Sequence, residues 1–528
     1  VVCAIEERIT KKRLPFIATP EDQASLKGMA KAMLGEKVDG YLCPDAPFTK
    51  SRIKGVLSEV FDLAALKSSK WSPDRFNTAF EKLHTMVCPE YQFKAAVKLE
   101  PSQPNKPPRL LIADGDEGQV MALLSIWILE KLMFHHFEER CIKELPKQQA
   151  MDRVVDYLRQ TVPCSTCEQD GSSWDTTMSV ELRDLVENTI IKRITECITE
   201  FFIAEDVWSK QHLSAGKKKR LQLRVSVKDE PWKAAHKAAK IIIAAMRRSG
   251  HRGTSGLNWL ENFCLTHVVH FGKNAPRFVN KTMRVAKDIF GKKRRIHAAF
   301  EGDDGATTIS PPLTDDEEKV ILERWESMGI RMKLLLCCPE KTLTFCGWKT
   351  LVDLLGPRPR TSVPDLPRTM TSGVVSTSTA MRAALEGGDV KTMQRLAAGT
   401  LIAAADAYSQ RLPTVGSWFR AMADEYTVAA AGGPLFTHDD LMKRDPGLFD
   451  SGYVWAFEGT EQYMKKLGIE VRKQEAVDLV DYAWEAKLMH EHGWASSEDT
   501  AFDSLRKLSC IHAGTSSDDF RSEFAFEG

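Results

Sequence analysis

The chain has 528 residues, 43% of them hydrophobic, the make-up of an ordinary globular protein with few biased stretches. A single core stops growing at ~250–300 residues, so two or three lobes are expected. The formal net charge is only +1, which excludes reading a nucleic-acid partner from bulk charge and leaves local clusters as the signal.

No charged-then-apolar leader opens the chain, and Val1 in place of Met is the pattern of a processed or trimmed product. Residues 101–108 (PSQPNKPP) carry four prolines and cannot form regular helix. Arg109 to Ala113 reads as a short buried strand, and Gln119 to Glu138 has helical apolar spacing. The apolar run from Val120 to Phe134 is broken by Ser125, Glu130 and Lys131, short of the ~20 residues that span a bilayer. Thr176 to Phe202 predicts one long amphipathic helix, and Arg220 to Val227 alternates like a half-buried strand. Ile296 to Phe300, a turn over Glu301 to Gly305, and Ala306 to Ile309 predict a hairpin. Asp315 to Met328 predicts a helix. Residues 356–378, rich in Pro, Ser and Thr, suit a lobe boundary. From residue 379 the chain reads as mostly helical, with a polar, mobile tail after Ala513.

Three short motifs carry chemistry. Gly302-Asp303-Asp304-Gly305 places two adjacent carboxylates at a hairpin tip, where they cannot both be buried without a cation. Asp170-Gly-Ser-Ser-Trp-Asp175 puts one aspartate at a strand end and a second near a helix start. Ser249-Gly250-x3-Thr254-x3-Asn258 places Thr254 and Asn258 four apart, on one face of a helix. Taken singly, the first two are ordinary turn and cap sequences; the third is the most specific.

Together, and in this order, the motifs resemble the palm-domain RNA-dependent RNA polymerases of positive-strand RNA viruses. Lys98-Leu-Glu100 and Lys106-Pro-Pro-Arg109 resemble that family's fingertip motif. Thr342 to Trp348 resembles the hairpin that grips the primer strand. The resemblance covers about residues 95–350, and the remainder matches by position only. It implies an α+β fold, a closed right hand with fingers, antiparallel-sheet palm and helical thumb. Residues 1–165 would be N-terminal extension, fingers and fingertips. The palm would take 166–200 and 245–350, with 201–244 a fingers insertion, and 351–528 would form the thumb and tail.

The same resemblance implies two Mg²⁺ ions, with Mn²⁺ able to substitute, held by Asp170, Asp303, Asp304 and the Gly171 carbonyl. Nucleotidyl transfer needs such ions to stabilise the attacking and leaving oxygens. Asp175, Asn258 and either Ser249 or Thr254 would read the ribose 2′-hydroxyl, which separates RNA from DNA. Lys98, Lys106 and Arg109 would hold the triphosphate. Lys333 would donate a proton to pyrophosphate, with Lys341 its rival. Implied partners are an RNA template and nascent strand, NTPs and other viral replication proteins, in replication complexes of the host cytoplasm. The basic stretches fit a phosphate channel: Lys217 to Arg252 holds twelve Lys or Arg against two Asp or Glu. A reverse-transcriptase-like palm enzyme and a non-catalytic RNA-binding palm remain the alternatives. Asp175 and Asn258 speak against the first, and the full set of carboxylates against the second.

Other signals lead nowhere. The 12 cysteines are scattered as reduced thiols would be in a reducing compartment. Cys164-x-x-Cys167 has no second ligand pair at zinc spacing. Asp114-Gly-Asp-Glu-Gly118 lacks the remaining ligands of a calcium loop, and Gly432-Gly-Pro434 lacks the lysine of a phosphate loop.

Overall fold

The structure is a computed structural model. It describes residues 14–33, 78, 94–97, 110–113, 126–191 with short gaps, 232–243 with a gap at 237–238, 247, 253–337 except 281, 342–351, 362–373, 379–430 except 410, and 479–513. It is α+β, with antiparallel sheets and helices. The chain divides into two compact units, Val1–Lys98 with Ser102–Pro339, and Leu99–Pro101 with Glu340–Gly528.

In the first unit, α1 (Pro20–Met33) is followed by the hairpin β1 (Lys94–Val97) and β2 (Leu110–Ala113). Within the predicted helix 119–138, Leu129, Glu130, Met133, Phe134 and His136 are helical. After α2 (Lys147–Leu158) come β3 (Ser165–Gly171), α3 (Trp174–Thr177) and α4 (Val180–Leu185). The single helix expected from Thr176 is therefore broken. Ser179 is extended (φ −83°, ψ 164°), and its hydroxyl accepts from the Leu182 N–H at 3.0 Å. A cap of that kind satisfies an orphan donor and restarts the helix. A turn at Val186 interrupts it again before 187–191, and residues 192–202 lie outside the described residues. So does the strand expected at Arg220 to Val227. A hairpin of β4 (Trp232–His236) and β5 (Ala239–Ile243) follows.

α5 (Thr254–Phe271) is buried from Gly256 to Phe271 on every face, as a helix at the centre of a large unit must be. Trp259 and Phe263 stack along it at 5.2 Å, and Phe137 and Phe300 close around them. Arg324 caps its C-terminal turn: Nε donates to Val269 O at 2.9 Å, and an Nη to Val268 O at 3.0 Å, which also accepts from the Gly272 N–H.

The main sheet then forms from β6 (Val285–Lys287), β7 (Lys293–Glu301), β8 (Asp304–Ser310) and β9 (Met332–Cys337), with β3 inserted. The strand order is β6-β7-β8-β3-β9, antiparallel throughout, so β8 and β3 are central. Between β8 and β9 lies α6 (Asp315–Ser327), opened by a capping box of Thr314 and Glu317. Burial alone would raise the Glu317 carboxyl, but hydrogen bonds from Lys292, the Thr314 N–H and Arg294 outweigh it and hold the carboxyl down at about 2.

The second unit begins with β10 (Thr342–Phe345) and β11 (Trp348–Leu351), the expected hairpin, joined by β12 (Val363–Pro364). α7 (Leu366–Gly373) follows, so part of the stretch 356–378 is folded, and the division between units falls ahead of it, at Pro339. Then come α8 (Thr379–Gly387), α9 (Val390–Tyr408), α10 (Pro413–Ala430), α11 (Leu479–Glu491) and α12 (Glu498–Ala513). Tyr408 and Phe419 stack at 5.6 Å where α9 meets α10, over a core holding Trp418 and Leu401. Among the described residues, no helix is long and apolar enough to cross a membrane.

Candidate active site

The two acidic motifs meet at one edge of the main sheet. β7 and β8 turn through Gly302 and Asp303, with Glu301 paired to Asp304. Gly302 has φ +62°, which its lack of a Cβ permits. The turn is tighter than the sequence suggested, and Asp304 and Gly305 already belong to β8. On the other side of β8, Gln169 pairs with Gly305, so Asp170 and Asp304 come next along the two neighbouring strands. Asp170 pairs in turn with Lys333 on β9. Residues in register across antiparallel strands point to the same face. Glu301, Asp304, Asp170 and Lys333 thus form one cross-strand row, with Asp303 at the tip beside it.

Two lysines flank the carboxylates of this row. Lys333 Nζ lies 4.0 Å from Asp170 Oδ2, with both side chains largely exposed, 73% and 66%. Such a pair is weak and readily exchanged for a stronger cation. At the other end, Lys143 is ion-paired with Glu301, which also accepts from Ser255 Oγ at 3.1 Å.

α5 supports the row from inside. Asn262 Nδ2 donates to the Asp303 carbonyl at 3.0 Å and reaches the Gly302 carbonyl at 3.5 Å. One turn on, Thr266 Oγ1 donates to Gln169 Oε1 at 3.1 Å. Gln169 also fixes its neighbour: a Cβ on Gly305 would stand 2.5 Å from Gln169 Oε1. One helix face thereby holds both the end of β3 and the tip of the β7–β8 turn.

The sugar-reading candidates lie at the start of the same helix. Thr254 is its first residue and half-buried, and Asn258 is buried one turn later. Arg247, 2% exposed, joins Asn258 to Asp175: its Nε donates to Asn258 Oδ1 at 2.9 Å, and its main-chain N–H to the Asp175 carbonyl at 2.6 Å. Its guanidinium is also ion-paired with Glu187, which accepts from Arg183 Nε at 3.1 Å. Glu261, fully buried beside them, is raised to about 8 by burial, against the pull of Arg247 and Arg183. Burial thus works against its charged form, and Glu187 is the carboxylate ion-paired with both arginines.

Of the residues named from sequence, the structure places Asp170, Gly171, Asp303, Asp304 and Lys333 at this edge, Asp175 and Asn258 on Arg247, and Thr254 one helical turn before Asn258. Ser249, Lys98, Lys106, Arg109 and Lys341 lie outside the described residues. Sequence reasoning missed Glu301, Lys143, Arg247, Asn262 and Thr266. The last two had a signal: Thr254, Asn258, Asn262 and Thr266 continue one ladder at four-residue spacing.

The sequence matches no protein-family model and no curated protein. Among solved structures, the chain is similar to the crystal structure of the RNA-dependent RNA polymerase of a human picobirnavirus, at 13% identity and a TM-score of 0.48, over 87% of this chain and 76% of that one. It is similar to the insertion-loop deletion mutant of that polymerase at 13% identity and a TM-score of 0.48, over 88% of this chain and 80% of that one.

Among the described residues, no three His, Cys, Asp or Glu gather closely enough to cage a metal ion unaided. The row offers hard carboxylate oxygens from neighbouring strands, partly exposed to solvent. This donor set suits Mg²⁺, which keeps waters and takes substrate phosphates rather than filling an all-protein cage.

Proposed function

We propose that this chain is an RNA-dependent RNA polymerase that replicates a viral RNA genome from NTPs. The observation that carries the reading is the union of the acidic row with the Thr254–Asn258–Asn262–Thr266 ladder. One rigid helix supports the carboxylates of both motifs and carries the polar groups suited to a ribose.

Asp170, Asp303 and Asp304, with the Gly171 carbonyl, would hold two Mg²⁺ or Mn²⁺ ions. When bound, these supply the charge that stabilises the attacking 3′-hydroxyl oxygen and the leaving pyrophosphate. The chain's own residues do the rest. Asn262 and Thr266 keep the carboxylate-bearing strands in register. Asp175, Thr254 and Asn258, with Ser249, bind the ribose. Lys98, Lys106 and Arg109 hold the triphosphate, and Lys333, beside Asp170, donates a proton to the departing pyrophosphate. Residues 351–528 serve as the thumb and tail.

Incorporation of labelled NTPs on a primed RNA template with Mg²⁺ or Mn²⁺ tests this. Asp303→Ala abolishes synthesis by at least on the order of a hundredfold while RNA binding persists. Undiminished synthesis in that variant, or a preference for deoxynucleotides in the unaltered chain, overturns the reading.

A further inference from the structure

Asn258 is an amide, and an amide has two chemically opposite faces. Its oxygen accepts and its nitrogen donates, and the side chain alone does not choose between them. In this chain the choice is made by Arg247. Its Nε–H occupies Asn258 Oδ1 at 2.9 Å, and the guanidinium cannot deprotonate or accept. The oxygen is thereby turned toward the arginine, and the NH₂ group is the donor face that Asn258 presents away from it. The same arginine takes the Asp175 carbonyl through its main-chain N–H at 2.6 Å, so Asp175 and Asn258 are set by one residue. The guanidinium is itself held: it is ion-paired with Glu187, which Arg183 grips at 3.1 Å, and the three side chains are 3% exposed or less. A flip of the Asn258 amide would set its NH₂ against the arginine N–H, donor against donor, in a buried site.

We propose that Arg247 is a positioning residue for sugar selection, locking Asn258 as a hydrogen-bond donor toward the 2′-hydroxyl oxygen of an incoming ribonucleotide. A deoxyribose offers no such acceptor, so the orientation of this amide favours ribose. The inference rests on the polymerase reading and adds to it a residue that need not touch the nucleotide.

The experiment compares ATP and dATP incorporation by the full chain carrying Arg247→Lys, Asn258→Ala, or both. Lysine keeps the positive charge for Glu187 but loses the fork geometry that reaches Asn258. The kcat/KM ratio of ATP to dATP falls on the order of tenfold in Arg247→Lys, chiefly through a higher KM for ATP. It falls comparably in Asn258→Ala, and no further in the double variant, because one interaction is being removed twice. A merely structural arginine lowers incorporation of both sugars alike and leaves the ratio at its original value; that result, or losses that add in the double variant, overturns the proposal. If Arg247→Lys fails to fold, the neutral pair Arg247→Met with Glu187→Gln restores charge balance, and its ratio is read the same way. An unaltered chain that incorporates no nucleotide refutes the polymerase reading itself. One that makes RNA while Arg247→Lys retains full discrimination refutes only the role of Arg247.

Discussion

The two units bury different chemistry. The first sets Arg183, Glu187, Arg247 and Glu261 in one connected group, and Asp288, Arg294 and Glu317 in another, beneath its sheet and helices. The second also buries Arg411 and Glu485, and both take neutral groups as hydrogen-bond partners. Arg411 donates to the Ser362 carbonyl, and Glu485 accepts from the Thr414 N–H and hydroxyl at 2.9 and 2.8 Å. Most of the rest of its core is apolar, with Trp418, Tyr408, Leu401 and several alanines among the buried side chains. An apolar core stabilises without specifying polar geometry. A buried ionic group adds little net stability but holds side chains in one arrangement when every member is satisfied. The ionic group of the first unit adjoins the residues assigned to the substrate.

Deletions in the two cores separate these roles. Glu187→Ala leaves Arg183 and Arg247 without their balancing carboxylate and costs ~3–5 kcal/mol. Trp418→Ala costs a similar ~3–5 kcal/mol through the cavity it opens. Urea titrations distinguish them: adding Arg247→Met to Glu187→Ala removes one of the two stranded charges and recovers part of the first loss. No charge change recovers the second. A double variant no more stable than Glu187→Ala breaks the contrast.

Acid gives a smaller and graded effect. Burial first, with nearby arginines adding to it, drives His267, His270 and His297 from 6.5 down to about 3. Their neutral forms favour the folded state fully above 6.5, and that stability is lost as pH falls toward 3. The Glu317 contribution is lost in turn between 4.5 and about 2. Glu261 runs the other way, since its folded carboxyl keeps its proton up to about 8 and favours the fold as pH falls from 8 to 4.5. Three histidines outweigh one carboxyl below 6.5. Amide-exchange protection of α5 therefore drops between pH 7 and 5 ahead of that of α9. Glu261→Gln steepens the drop. Earlier opening of α9 would falsify this ordering.

The smallest effect is local. Thr314→Ala removes one half of the capping box on α6 and costs ~1 kcal/mol, visible as a modest fall in melting temperature with nucleotide incorporation retained. A much larger cost would mean that Glu317 depends on the cap as well as on Arg294.

Much of the acidic edge was legible in the residues. The turn chemistry around Gly302, the strand on either side, and the four-residue spacing of Thr254 and Asn258 are local properties, and local properties are written in order along the chain. The helix expected from Thr176 to Phe202 was misread because its apolar spacing hid Ser179, a residue that caps more readily than it continues a helix. In the sequence Glu301 reads as turn chemistry, whereas the hairpin register makes it a member of the acidic row.

What the sequence by itself determined is therefore the identity of the motifs and the elements that bear them: a strand ending in Asp170, a hairpin carrying Asp303 and Asp304, and a helix bearing Thr254 and Asn258. Only the tertiary structure decided that β3 inserts between β8 and β9, which brings Asp170 beside Asp304 and Lys333. It alone paired Arg247 with Glu187 and turned the Asn258 amide. Strand order and buried ion pairs join residues far apart in the chain, and their partners are chosen by packing and desolvation in three dimensions, which leave no periodic trace along the sequence.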